Sequence, residues 1–180
     1  MSDLLVYVRA VHFAATILAA GAVIFEFAIA APAFALAGVA THGAAERLRL
    51  RWARIVWASL TVAVLSGAVW LLLLAADIYG APIGELWSNG GIWTVATETR
   101  FGQVWTARFA AAVLLAGSIS MWRVTAERGP WGVFSAIFAV GFLIGPAWIG
   151  HAGATPGGAG QFSLAADAVH LLAAGTWLGS

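Results

Sequence analysis

Charge is distributed along this chain in a way that leaves few folds open to it. From Ile55 to Ala76, and again from Gly129 to Gly150, no Asp, Glu, Lys or Arg occurs. Each run covers the roughly 20 apolar residues that a helix needs to cross a hydrocarbon core about 30 Å thick. Phe101 to Trp122 is as long and carries one charge, Arg108. With 62% of its 180 residues hydrophobic and 9% charged, the chain falls outside the range of soluble domains, which are about a quarter charged. A soluble enzyme is excluded. The expected fold is all-α, a polytopic transmembrane helix bundle embedded in a lipid bilayer.

The segments can be counted directly. The first spans about 4–36, interrupted by Arg9, His12 and Glu26, with Pro32 expected to kink or end it. The next three span 55–76, 101–122 and 129–150. A fifth opens near 161 and is still apolar at Ser180, so the sequence reads as the N-terminal part of one longer membrane domain, with four full helices and the start of a fifth. Ala31-Pro32-Ala33-Phe34-Ala35 offers the small residues that a signal-peptide cleavage site needs. However, Asp3 precedes the first Arg and polar residues break the run, which favours a retained helix.

Arginine sets the orientation. Arg47, Arg49, Arg51 and Arg54 lie in the expected loop between helices 1 and 2, and Arg123 and Arg128 lie between helices 3 and 4. The positive-inside rule puts both connections in the cytoplasm and the N-terminus outside. The external 77–100 connection, with Trp87 and Trp93, is expected to lie on the membrane surface as a loop able to form a lid. A net charge of +1 with no Lys provides no surface for nucleic acid. The absence of Cys removes disulfides, thiolate metal sites and Cys nucleophiles.

Ionisable groups inside such segments are costly and mark function by default. At about 1.5 Å per residue, His12 and His170 each lie about 12 Å below the external starts of their helices, and His151 sits at the external end of helix 4. Three imidazoles from three helices make a plausible site for copper, zinc, iron or nickel. Each could equally donate one hydrogen bond to a neighbouring helix and do nothing more. His42, in the Arg-rich connection, is expected to be solvated. Asp167 shares a helix face with His170 and can orient its ring from behind, or pair with Arg9 or Arg108 instead. Thr99, Gly102, Trp105 and Arg108 recur every three residues and read first as a packing face. Glu26, about 33 Å along helix 1, and Met121 are the only hints of an inner metal site.

The runs Thr97-Glu-Thr-Arg-Phe-Gly-Gln-Val-Trp-Thr-Ala-Arg108, Gly150-His151-Ala152 and Asp167-x-x-His170-x(6)-Trp177-Leu-Gly, together with Arg9-Ala-Val-His12, resemble the copper resistance protein D family of bacterial inner-membrane proteins. The resemblance extends over nearly the whole chain. It implies a bacterial inner-membrane protein, not an enzyme, that imports copper or receives it from a periplasmic copper carrier. On that reading the metal ligands are His12, His151 and His170, with Asp167 and Arg108 behind them, and the bound species is a copper ion. The lack of Cys and near-absence of Met depart from what a Cu(I) path would use. The competing reading is a membrane electron carrier in which His12 and His170 are the axial pair of a b-type haem. A second alternative is a structural or signalling subunit whose His residues only pack.

Overall fold

The computed structural model describes residues 2–37, 42–124, 128–150 and 155–178. Those residues form helices and turns and no strand, as expected for an all-α bundle. In chain order they are α1 (Ser2–Phe25), a π-helical turn (Glu26–Ala30), α2 (Ala31–Ala37), α3 (His42–Tyr79), α4 (Ile83–Ser88), α5 (Gly91–Glu98), α6 (Arg100–Val124), α7 (Arg128–Ile144), a 3-10 turn (Gly145–Trp148) and α8 (Gly157–Leu178). Asp3–Ala37, Glu46–Tyr79, Arg100–Arg123 and Gly129–Trp148 are each long and apolar enough to cross a membrane. The protein is a multi-pass membrane protein. The fifth expected segment forms α8, which starts at Gly157 and packs on α1 and α7.

Helix α1 is the hub, packed against α3, α7 and α8. Its buried positions His12, Ala15, Thr16, Ala19 and Val23 follow the three-and-four spacing of one helix face. Much of that face is Ala, and small residues let helix backbones approach closely where lipid gives no hydrophobic drive for association. The shared core adds Val56, Leu60 and Ala63 from α3, Ala112, Leu115 and Ile119 from α6, and Phe142 and Leu143 from α7. Apolar side chains also cover the outside, among them Leu65, Val113 and Ile137. Exposed to this degree they would be a liability in water, but in a bilayer they are the lipid-facing surface.

Two local expectations are corrected, and a third, that Pro32 kinks or ends helix 1, is narrowed. Pro32 does not end helix 1, which continues to Ala37. A proline removes one N–H and crowds the carbonyl four residues before it, and the π turn at Glu26–Ala30, closed by Ala31 N–H to Glu26 O, absorbs that disruption just upstream. The expected Arg47–Arg54 loop is helical instead. At about 1.5 Å per residue, the 38 residues of α3 span about 57 Å, so its Arg-bearing turns extend well beyond the apolar core. The 77–100 connection is likewise no open loop. Its two short helices bury Leu86 and Val95 against Leu71, Ala75 and Ala76, leaving Trp87 and Trp93 exposed, the position that interfacial Trp occupies.

Candidate functional site

The deepest polar cluster joins α1, α3, α6 and α7. His12 is 2% exposed and Arg108 4%. Arg108 NH1 lies 2.6 Å from His12 Nε2, NH2 donates to Thr16 Oγ1 at 3.1 Å, and Nε donates to the Phe142 carbonyl at 3.2 Å. The guanidinium carbon also sits 4.9 Å from the centre of the Phe142 ring, a cation–π distance. Guanidinium has donors only, so Nε2 must be the acceptor and the imidazole proton is on Nδ1. That proton points at the Ala63 carbonyl, 2.9 Å away, with Ser66 Oγ at 3.2 Å. His12 is therefore a neutral ring of fixed tautomer, with both nitrogens in use.

The chain makes room for this cluster in particular ways. A Cβ at Gly145 would stand 2.6 Å from both Cγ and Cδ of Arg108, so only glycine leaves a channel for that stem. Pro146 follows, and having no N–H it offers nothing to the carbonyl four residues earlier, which is that of Phe142. Arg108 Nε takes up this unpaired acceptor. On the other side, a Cβ at Gly67 would meet Trp105 Nε1 at 2.9 Å and His12 Cε1 at 3.0 Å. Trp70 closes the ring edge-on, 5.5 Å from His12, and Arg9 lies over Trp70 at 5.2 Å. Beside His12 a cavity of about 10 Å³, lined in part by Trp105, Arg108 and Phe142, is about the size of one water.

The sequence-derived site residues are not equivalent. His12 and Arg108 meet directly in the core. His170 is exposed on α8 and Asp167 is exposed one turn before it. His170 does not line the cavity beside His12. His151 lies outside the described residues. Among the described residues no group of three or more His, Cys, Asp or Glu is placed to hold a metal. Neither Arg9 nor Arg108 pairs with Asp167. The ion pair described joins Arg123 to Glu26. Thr16, Ser66, Gly67 and Gly145 complete the cluster, and none of them stands among the candidate site residues read from the sequence. Thr16 was detectable, since it stands one turn from His12 on the same face, and Ser66 is one of few polar residues in its span.

The 99–108 ridge packs as its spacing suggests. Thr99 Oγ1 caps α6 by accepting from Gly102 N at 3.0 Å, and Gly102 lies directly against the backbone of α5 at Val95 and Ala96. That contact fixes the height of α6 and places Arg108 opposite His12.

A family model described as copper resistance protein D-like, N-terminal domain, matches residues 1–161. Neither curated proteins nor solved structures gave a significant match.

Proposed function

The chain belongs to the copper resistance protein D-like family, and from that premise we propose that it moves copper into or across the bacterial inner membrane, with His12 as the imidazole that takes up the ion. The observation that carries this reading is the Arg108 guanidinium on the His12 lone pair. Imidazole nitrogen suits copper, and here the one lone pair available for a metal is covered by a resident cation. Copper reaches Nε2 by exchanging with that cation. Arg108 stays in the bundle, so the ion adds its charge to that of the guanidinium, which must swing away from Nε2 to limit the cost.

His151 and His170 are the further ligands in this proposal. His170 belongs to α8, which packs on α1, and His151 follows the 3-10 turn in the sequence. Asp167 then orients His170 from one turn away. The N-terminal ends of α1 and the Trp87–Trp93 surface face the periplasm, where a copper carrier would dock, and the Arg-bearing turns of α3 face the cytoplasm.

Copper accumulation in cells tests the reading. His12→Ala, His151→Ala and His170→Ala should each lower uptake while the protein still inserts to normal levels. Unchanged uptake in all three would remove histidine from the mechanism.

A further inference from the structure

At the far end of the bundle from His12, the π turn, α2, the start of α3 and the facing ends of α6 and α7 enclose a cavity of about 590 Å³. Its wall is part charged and part apolar. Arg49 and Arg123 contribute guanidiniums, Glu26 and Glu46 carboxylates, and Phe27, Pro32 and Leu50 a hydrophobic strip. We infer that this cavity binds an anionic phospholipid, with the phosphate held between Arg49 and Arg123 and an acyl chain along Phe27, Pro32 and Leu50.

Three observations converge on that ligand. Arg123 Nε is buried and, among the described residues, has no hydrogen-bond partner, an expensive state for a charged donor. Its contact with Glu26 does not satisfy it, because NH2 stands 3.8 Å from Oε2, beyond hydrogen-bond range. A phosphate oxygen would supply the missing acceptor. The charge balance also selects an anion. Within the wall Glu26 and Glu46 offset Arg123 and Arg49, but Arg47, Arg51 and Arg54 are exposed on neighbouring turns of α3, leaving that end of the bundle with a surplus of three positive charges. A metal cation would meet two guanidiniums and a positive surround.

Position and shape then favour a lipid over free phosphate. The cavity lies where α3 passes out of the apolar core, at headgroup level, and its hydrophobic strip has no use for an inorganic ion. Basic pockets between membrane helices at this level hold anionic headgroups. Copper plays no part in this site, so the inference stands or falls independently of the function proposed above.

The test is native mass spectrometry of the full chain, released from nanodiscs of phosphatidylglycerol or of phosphatidylcholine, with inorganic phosphate and copper salt as separate additions. The protein should retain phosphatidylglycerol selectively, and millimolar phosphate should not displace it. Arg49→Gln should lower retention about fivefold, the equivalent of about 1 kcal/mol for one interfacial Arg. Arg123→Gln should lower it at least as much. Because that change also removes a partner of buried Glu26, the half-exposed Arg49 is the variant that decides if Arg123→Gln fails to fold. Equal retention of the two lipids, displacement by phosphate alone, copper bound in place of lipid, or an Arg49→Gln protein that holds lipid as well as its parent would each overturn the inference.

Discussion

Arg108 donates through Nε to the carbonyl of Phe142, the one carbonyl that Pro146 deprives of its helical N–H. A proline near the end of one helix thereby creates the docking point for a cation on another. The same guanidinium reaches Thr16 and His12 with its remaining nitrogens, and among the described residues no carboxylate pairs with it. The charge is held by neutral acceptors alone, through one bond from each of its three nitrogens.

His12 and Arg108 should be energetically coupled. His12→Phe keeps a ring in place but removes the acceptor from NH1, leaving a buried charged donor short of a bond at a cost of about 1–3 kcal/mol. Adding Arg108→Met removes the stranded charge, so the double variant should be less destabilised than the two single changes summed. Unfolding in a denaturant series in mixed micelles would measure this. Simple additivity would mean that the 2.6 Å contact carries no energy.

Gly145→Ala tests the channel for the Arg108 stem. The new Cβ would sit 2.6 Å from two of its carbons, and overpacking of that kind costs about 1–3 kcal/mol. Gly141→Ala, on α7 just before the 3-10 turn and with nothing within 4 Å of its added Cβ, should be harmless. Comparable melting temperatures for the two variants would show that Arg108 has slack the structure does not suggest.

Removing the resident cation should separate binding from release. Arg108→Met should leave Nε2 open, so that purified protein retains more copper while cells accumulate less, because nothing displaces the ion again. Metal analysis of the full chain beside a visible spectrum checks this and the haem alternative together. A stoichiometric Soret band lost in both His12→Ala and His170→Ala would replace copper with haem.

The absence of cysteine makes orientation easy to read. Gly43→Cys, at an open position in the first turn of α3, should resist an impermeant thiol reagent applied from the periplasmic side. Ser88→Cys, exposed at the end of α4, should react. Reversal of the two reactivities would invert the topology, and with it the side from which copper is proposed to arrive.

Much of the bundle is legible in the sequence because crossing a bilayer is a length and charge problem, and 55–76 and 129–150 solve it in plain view. What escapes such counting is whatever depends on contact. Arg47 to Arg54 look like loop because they are charged, yet Arg is a good helix former and continues a helix begun elsewhere. The depth of His12 was readable, but its partner was not. Sequence shows that Arg108 is buried in an apolar run, and only the packing of Gly145 and the freed Phe142 carbonyl show where it points. His170 illustrates the opposite limit, since equal depth on two helices says nothing about which way either ring faces.

The wide turn at Glu26–Ala30 has a consequence for how helix 1 can change. An extra residue inserted into a turn rotates everything beyond it by about 100° around the axis. The stretch Ala31–Ala37 is therefore out of phase with the stripe that begins at His12, and the two ends of one rod are set to different angular registers. Substitutions on the His12 side can retune its contacts with α3 and α7 without altering which edge of Pro32 meets its surroundings. Loss of a single residue between Glu26 and Ala30 would do the reverse, swinging the distal end round its axis while leaving the proximal half in place.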